Sequence, residues 1–293
     1  MLNTIRTRKR LPWVASALSL LAISAFSVQA QTYPSRALRL VVPFAAGGST
    51  DAIARLLAEK MTAGLGQPIV VENRPGAAGA IATEQVVKSA PDGYTILLAT
   101  TSTHALLPLA NPRVTFDPAT SLASIGMVAR APNVLVVSLS LRRQRQMCIR
   151  DSPYKTGVQA LTDIASGQVQ FQFDSIVWTL PQARAGKVRA LAVTGSRRSA
   201  LAPELPTVAE AGLPGFEGVT WFGLVAPAAT PHDILARLHS ELQRALQGRD
   251  IQEKFAAQGA EPAPGTPEEM SRQMREDREK WAKVIQQAGV KFE

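Results

Sequence analysis

The sequence predicts an α/β protein with a largely parallel sheet. From Leu38 onwards, short runs rich in β-branched residues alternate with amphipathic stretches at helical spacing, as in strands that are joined by helices. In addition, 46% of the 293 residues are hydrophobic, which is enough for the core of one large domain or of two mid-sized ones. Neither an internal repeat nor a low-complexity linker interrupts the pattern.

The predicted elements of the N-terminal half follow one another closely. A first apolar strand is ended by Gly47 and Gly48, and the apolar residues after them fall at helical spacing up to Gly64. Proline, glycine and asparagine mark turns over 73–76 and 91–93. In order, we predict strands over 38–44, 68–72 and 94–100, and a second helix over 81–88.

The C-terminal third is predicted to be helical, because two start signals place a capping residue, a first-turn proline and an acidic residue in register. These signals are Thr230-Pro231 with Asp233, and Thr266-Pro267 with Glu269. We expect the two helices to pack back on the N-terminal domain. This assigns residues 31–131 and 225–293 to one lobe and 132–224 to a second lobe.

The first thirty residues are typical of a secretory signal. Four basic residues precede a mostly apolar run over 11–28, and Val28 and Ala30 supply the small residues that a signal peptidase needs. We therefore expect a cleavable signal over 1–30, with cleavage after Ala30. The run contains Pro12 and several serines, so it is marginal as a membrane anchor.

The charge and cysteine counts exclude several classes of protein. The formal net charge of +9 falls to +5 without the signal, which carries four basic residues and no acid. It falls to +2 without 139–152, which carries four arginines and Asp151. The remaining net charge of +2 gives no reason to expect a nucleic-acid partner. Cys148 is the single cysteine, so no internal disulfide can form. No Cys/His cluster has the spacing of a zinc site, and we expect neither a bound metal nor a cofactor.

The glycine-rich turn between the first strand and the first helix is the most informative local motif. Glycines let the backbone approach a ligand, and the first turn of a helix presents unpaired N–H groups at the positive end of its dipole. Residues 44–51 therefore suit an anion without any cationic side chain. The alternative is that the glycines only make a tight turn and that Ser49 or Thr50 caps the helix.

Further polar and aromatic residues stand at predicted strand ends. Thr100-Thr101-Ser102-Thr103-His104 ends the strand at 94–100, and Asp174 follows the alternating run 169–173. Both belong either to a pocket or to ordinary turns and caps.

Trp221-Phe222 is assigned to the core rather than to a cleft. His232 and His239 are assigned to an exposed helix face, because metal pairs on helices prefer a spacing of three or four.

Several motifs taken together resemble the Bug family, the periplasmic receptors of tripartite tricarboxylate transporters. The resemblance runs from about Tyr33 to the C-terminus with one interruption. Its motifs include Leu40-Val41-Val42-Pro43-Phe44, Glu72-Asn73-Arg74-Pro75-Gly76, Pro91-Asp92-Gly93-Tyr94, Pro153-Tyr154-Lys155, Arg189-Ala190-Leu191-Ala192-Val193, Pro206-Thr207-Val208-Ala209-Glu210-Ala211-Gly212 and Trp221-Phe222-Gly223-Leu224.

The resemblance implies a two-lobed periplasmic binding protein of the Venus-flytrap type, and no enzyme. It implies a monomer that captures a small carboxylate, which is a di- or tricarboxylate, an acidic amino acid or an aromatic acid. The ligand then passes to the membrane subunits of a tripartite tricarboxylate transporter. The ligand-binding residues that it implies are Phe44, Ala46, Gly47, Gly48, Ser49 and Asp51 in the first loop, Ser102, Thr103 and His104 in the second, and Asp174.

The chain departs from the family pattern after Val137. About one βαβ unit, roughly thirty or more residues, is missing before Pro153, so the second lobe is expected to be truncated. The segment 139–152 has neither helix nor strand periodicity and does not resemble family sequence. We expect it to be a foreign or junction segment, and the alternative is a genuine deletion that left a basic surface loop.

Two other classes of function remain as alternatives. A hydrolase would use Ser102, His104 and Asp174 as a triad, although no G-x-S-x-G motif is present. A basic interaction protein would act through the arginines of 142–150. The sequence contains neither a G-x-G-x-x-G motif nor a Walker loop, so no motif supports nucleotide binding.

Overall fold

The computed structural model describes residues 33–111, 114–139 and 157–288. The predicted signal sequence and most of 139–152 lie outside these residues. The strands, in chain order, are β1 (Leu38–Val42), β2 (Ile69–Asn73), β3 (Thr95–Thr100), β4 (Leu122–Ser138), β5 (Phe171–Ser175), β6 (Val188–Val193), β7 (Val219–Pro227) and β8 (Glu261–Pro262).

Helices alternate with these strands and then dominate the C-terminal part. The α-helices are α1 (Ser49–Leu65), α2 (Ala80–Val87), α3 (Leu107–Ala110), α4 (Pro118–Ser121), α5 (Gly157–Ala165), α6 (Ile176–Arg184), α7 (His232–Leu246), α8 (Arg249–Ala257) and α9 (Pro267–Ala288). Two short irregular turns complete the description: a 3-10 turn at Ala77–Gly79 and a π-helical turn at Ser102–Leu106.

The first sheet has the strand order β2-β1-β3-β7-β4, and β8 pairs with β4. Strand β1 pairs in parallel with both β2 and β3, whereas β7 pairs antiparallel with β3 and β4. The prediction of a largely parallel sheet is therefore correct for the first three strands and wrong for the rest. The sequence pattern does not distinguish parallel from antiparallel pairing here, because most of β7 is apolar and buried, as in a parallel strand.

The long strand β4 joins the first sheet to a second one. Residues Leu122 to Pro132 pair with β7, and residues Asn133 to Ser138 pair antiparallel with β5 on one side and β6 on the other. The second sheet thus has three strands among the residues that the structure describes. The change of partners falls at Pro132, where the sequence predicts the boundary between the two lobes.

Each sheet has its own hydrophobic core. The core of the first sheet takes Met270 and Met274 from α9, so this helix packs back on the N-terminal strands as the sequence predicts. The core of the second sheet joins Val134 and Val136 of β4 to Ile164 of α5 and to α6. Trp221 and Phe222 are only 2% and 3% exposed, which confirms their assignment to the core.

The start signals of the two long C-terminal helices have different outcomes. Thr266 and Glu269 form a reciprocal capping box at the start of α9, since the Thr266 N–H donates to Glu269 Oε2 at 2.9 Å and the Glu269 N–H donates to Thr266 Oγ1 at 3.2 Å. Thr230 does not cap α7, because Pro231 is the capping residue and the Thr230 hydroxyl donates to the Pro227 carbonyl.

The two histidines of α7 also differ from each other. His232 is exposed, as predicted, but His239 is half-buried and its Nδ1 lies 2.7 Å from the carbonyl oxygen of Ile125 in β4. The exposed-face assignment is therefore wrong for His239, because α7 turns that residue towards the sheet. Within the part of the chain that the structure describes, no helix has both the length and the apolarity to cross a membrane.

Candidate functional site

Three loops meet at one edge of the first sheet. Strands β1, β2 and β3 are parallel neighbours, so their carboxyl ends point the same way. In open α/β sheets, ligands bind at such an edge. We name the loops by their residues: the first loop is 43–48, the second loop is 101–106, and the third loop is 74–79.

The first loop leads into the N-terminus of the 17-residue helix α1. Gly47 has a φ of +88°, which only glycine adopts without strain, and Ala45, Ala46 and Gly47 are exposed. Gly48 is the capping residue and makes no side-chain cap bond. The interpretation in which Ser49 or Thr50 caps the helix is therefore wrong, and the first-turn N–H groups have no partner within the helix.

Asp51 fixes the shape of the first loop. Its carboxylate accepts hydrogen bonds from the Gly47 N–H, from Arg55 Nε and from Asn73 Nδ2, each at 3.0 Å. Asn73 Nδ2 also lies 3.0 Å from the Phe44 carbonyl, which ties β2 to the loop. Burial raises the pKa of Asp51, but these hydrogen bonds outweigh burial and hold the pKa below 3.8. The carboxylate is thus a charged internal support of the loop.

The third loop also contributes to this edge, although its sequence predicts only a turn. Ala77 and Ala78 both have left-handed φ values, +46° and +54°, which are costly for alanine. Gly79 has a φ of +94°, and a Cβ there would lie 2.5 Å from Thr103 Cγ2 and 3.1 Å from Pro43 Cβ. The third loop therefore packs against both others. The only sequence signal was the Pro75-Gly76 pair, which predicts a turn and not its packing.

The second loop buries most of its side chains. Thr103 is fully buried, and its hydroxyl accepts from the Thr100 N–H at 3.0 Å and lies 2.9 Å from His104 Nδ1. Ser102 is half-buried. The Thr101 hydroxyl accepts from the Trp221 N–H at 3.1 Å, which anchors the loop to β7. Of the three predicted residues here, Ser102 alone keeps an accessible side chain.

His104 faces the interior of the protein. Its ring packs edge-to-face on Trp221 with the centroids 6.1 Å apart, and it lines a cavity of about 110 Å³. The other lining residues are Pro118, Ala119, Met274, Arg275, Arg278 and Glu279. Burial lowers the pKa of His104 to about 3, so the ring is neutral at pH 7.

We expect His104→Gln to reduce the sensitivity of the fold to acid. The unfolded chain binds a proton at His104 below pH 6.5, whereas the folded chain resists it down to about pH 3. The stabilisation is thus complete above pH 6.5 and is lost by about 1.4 kcal/mol per pH unit as the pH falls. Urea unfolding at pH 7 and pH 5 should show the wild type losing about 2 kcal/mol more than the variant. Parallel losses would contradict this result.

Asp174 lies in the second sheet. Its carboxylate accepts from Gln172 Nε2 at 3.0 Å and from the Ser175 N–H at 2.7 Å, and burial raises its pKa. The hydrolase alternative does not fit these contacts. His104 Nδ1 contacts Thr103 rather than Ser102, and the carboxylate of Asp174 bonds only with residues of its own strand among those described.

Two other cavities of the described chain lie away from this edge. Cavities of about 190 and 340 Å³ share Arg130, Gln273 and Glu276 beside α9, and neither takes a lining residue from the three loops. Within residues 33–111, 114–139 and 157–288, no group of three or more potential ligands is placed to hold a metal ion.

Comparison with known proteins gives a consistent result. The chain matches the model of the tripartite tricarboxylate transporter family receptor in two segments, residues 53–145 and 139–290. It is 34% identical to protein BugT of Bordetella pertussis, over 90% of this chain and 93% of BugT.

Solved structures agree with the sequence relatives. A protein of R. palustris solved with adipate is 34% identical, with a TM-score of 0.80 over 88% of this chain and 99% of that one. MatC from Rhodopseudomonas palustris, solved with bound malate, is 30% identical, with a TM-score of 0.76 over 86% of this chain and all of MatC. The periplasmic binding protein BugD is 32% identical, with a TM-score of 0.78 over 88% of this chain and 99% of BugD.

The alignment lengths also reveal a deficit. The alignment with BugT has 303 positions but covers 90% of this 293-residue chain, or about 264 residues, so about 39 positions have no counterpart here. The family model breaks into its two segments around 139–145, directly after β4. The family match covers most of the sequence on both sides of that break, so the chain belongs to the tripartite tricarboxylate transporter receptors and is a periplasmic solute-binding protein of the Bug type.

Proposed function

We propose that this receptor binds a small dicarboxylate and delivers it to the membrane subunits of a tripartite tricarboxylate transporter. The two neighbours solved with adipate and malate are bound to dicarboxylates, which favours this class over the aromatic acids and acidic amino acids that the sequence also allows. In the proposed cycle the protein leaves its ligand chemically unchanged. Export through a signal cleaved after Ala30 belongs to the same proposal.

The first loop carries the proposal, because it is built to hold an anion without a cation. It combines an exposed glycine backbone with the N-terminus of a 17-residue helix that no side chain caps. A helix N-terminus stabilises a nearby anion by about 0.3–1 kcal/mol, and each hydrogen bond to a charged group adds about 1.5–3 kcal/mol. Arg55 of α1 is already paired with Asp51, and Arg74 of the third loop is paired with Glu72.

Within this proposal the predicted residues have different roles. Phe44, Ala46, Gly48 and Ser49 offer backbone groups to one ligand carboxylate, and Ser102 offers its hydroxyl. Gly47 shapes the first loop, because its N–H already donates to Asp51. Asp51 supports the first loop from inside, and Thr103 and His104 support the second, so these three act by positioning. We assign Asp174 to the opposite wall of the site, where its carboxyl would contact the ligand; burial raises the pKa of this carboxyl.

The two-lobe division belongs to the proposal as well. We infer that residues 31–131 and 225–293 form the first lobe and that 132–224 form the second. The change of strand partners at Pro132 and the two separate cores support this division. About 39 positions of the BugT alignment have no counterpart here; if they belong to the second lobe, where the family match divides, that lobe would bind the distal end of the ligand less completely.

Ser49→Pro tests the backbone role of the first loop directly. Ser49 is the first residue of α1, where proline is tolerated, and Gly48 has the extended conformation (φ −83°, ψ 171°) that a following proline requires. The substitution removes one N–H and leaves the helix intact. Calorimetric titration with adipate and malate should show about 10- to 100-fold weaker binding.

The matched control is Ser49→Ala, which removes the hydroxyl and keeps the N–H. It should bind within a few-fold of the wild type. Equal affinities of the two variants would contradict the backbone role. A wild-type protein that no di- or tricarboxylate stabilises in a thermal-shift screen would contradict the proposed function itself.

A further inference from the structure

Strands β4 and β7 separate the three loops from β8. We name β4 and β7 the hinge strands, because both extend from the edge where the loops lie towards the second lobe. At this edge Phe222 of β7 pairs with Thr100 of β3 on one side and with Ala129 of β4 on the other. Ala129 in turn pairs with Pro262 of β8. The loops therefore lie on one side of the hinge strands, and β8 lies on the other side.

A short segment at β8 packs directly on the second lobe. We name residues 259–262 the strap; they follow α8 and belong to the first lobe. A Cβ at Gly259 would lie 2.6 Å from Ile176 Cγ2 and 2.7 Å from Val177 Cγ2, and both side chains belong to α6 of the second lobe. Gly259 also has a left-handed φ of +68°, so glycine suits both the turn after α8 and the close contact. The two lobes thus touch behind the hinge strands.

An ion pair joins the same two surfaces. The Arg197 guanidinium of the second lobe donates from Nη2 to Glu261 Oε2 of the strap. The two side chains are 78% and 50% exposed, so water and salt screen the attraction between them. Such a pair contributes little to overall stability, but it can shift the balance between two arrangements of similar free energy.

Closing the cleft over the three loops opens the gap at the strap. The second lobe turns on the hinge strands, which lie between the loops and β8, so a rotation towards the loops takes it away from β8. The contacts of Gly259 and Glu261 with the second lobe are formed in this structure and would be lost on closure. Contacts that exist in one state only favour that state and lower the apparent affinity of a ligand that needs the other.

We propose that the strap holds the ligand-free receptor open and thereby lowers its affinity for a dicarboxylate. This inference rests on the proposed function, since it takes ligand capture to close the two lobes. Arg197 and Glu261 then control affinity from the side of the hinge strands that faces away from the loops. Weakening their contact tightens binding, whereas the loss of a group that touches the ligand weakens it.

Charge reversal at the strap tests this sign. Arg197→Glu places two like charges together and should tighten binding of adipate or malate about 2- to 5-fold in calorimetric titration. Adding Glu261→Arg restores an ion pair and should return the affinity to that of the wild type. The matched control is Arg198→Glu, because Arg198 is the neighbouring arginine and pairs with Glu210 inside the second lobe. This control should leave the affinity unchanged.

Distances between the lobes test the strap without any ligand. In a background with Cys148→Ser, spin labels at Val70→Cys and Lys187→Cys would mark the two lobes. Both residues are exposed; Val70 lies on β2, on the loop side of the hinge strands, and Lys187 lies just before β6, at the end of the second sheet away from the hinge. Pulsed electron paramagnetic resonance of the ligand-free protein should show a larger share of short distances in Arg197→Glu than in the wild type.

Failure of the strap and failure of the proposed function give different results. A wild type that binds no di- or tricarboxylate contradicts the proposed function, while the spin-label distances still decide on the strap. An Arg197→Glu variant with the distances of the wild type overturns the role of the strap. Binding that Arg197→Glu fails to tighten, or that Glu261→Arg fails to restore, overturns it as well. Circular dichroism spectra verify that the variants fold.

Discussion

Replacing Gly79 by alanine should lower the free energy of unfolding by about 3 kcal/mol and weaken dicarboxylate binding. The left-handed φ of +94° costs a non-glycine residue roughly 1–2 kcal/mol, and overpacking a filled site adds about 1–3 kcal/mol. The neighbours cannot move aside easily. Thr103 is held by three hydrogen bonds to Thr100 and His104, and Pro43 belongs to the start of the first loop. Any shift therefore displaces all three loops together.

Two comparisons separate the causes of this loss. Gly186→Ala carries a similar backbone cost, since its φ is +69°, but a Cβ there meets no atom within 4 Å, so urea unfolding should show a loss of only about 1 kcal/mol. Adding Thr103→Ser to Gly79→Ala removes the methyl at 2.5 Å and keeps the hydroxyl, so it should recover part of the stability. A Gly79→Ala variant no less stable than Gly186→Ala would refute the packing explanation.

The contrast between Gly48 and Gly79 shows what local sequence patterns specify. The sequence predicts the loop at Gly47-Gly48 because the turn is local: a strand, two glycines and a helical stripe follow one another within a few residues. The need for glycine at position 79 depends on Thr103 and Pro43, which lie 24 and 36 residues away along the chain. No propensity or spacing rule contains such a long-range contact.

The difference between local patterns and long-range contacts also decides how well the roles of the polar residues are predicted. The sequence identifies Asp51 and His104 as chemically interesting, and both have perturbed pKa values. It cannot tell a ligand contact from a support, because that depends on which partners already occupy the side chain. For Asp51 these partners are Gly47, Arg55 and Asn73, and only the fold brings Asn73 of β2 to the carboxylate.

Asp51→Ala should therefore act on the loop and on binding together. The substitution leaves Arg55 Nε and the Gly47 N–H without their acceptor and removes one of the two bonds of Asn73 Nδ2. We expect a loss of about 2–3 kcal/mol in the free energy of unfolding, in line with hydrogen bonds to a charged group. Affinity for adipate or malate should fall more than tenfold, because the first loop loses the geometry that aims its N–H groups.

The pH dependence distinguishes this role from a simple helix-dipole effect. The folded pKa of Asp51 lies below 3.8, so its stabilisation is present at neutral pH and is lost as the pH falls through and below 4. Asp233→Ala is the matched control, since Asp233 is an exposed acid in the first turn of α7. That variant should lose at most about 1 kcal/mol and bind the ligand normally. An Asp51→Ala variant that behaved like Asp233→Ala in urea unfolding and calorimetry would contradict the supporting role of the carboxylate. The carboxylate would then be only a favourable charge at a helix terminus, and the glycines and Asn73 alone would maintain the geometry of the first loop.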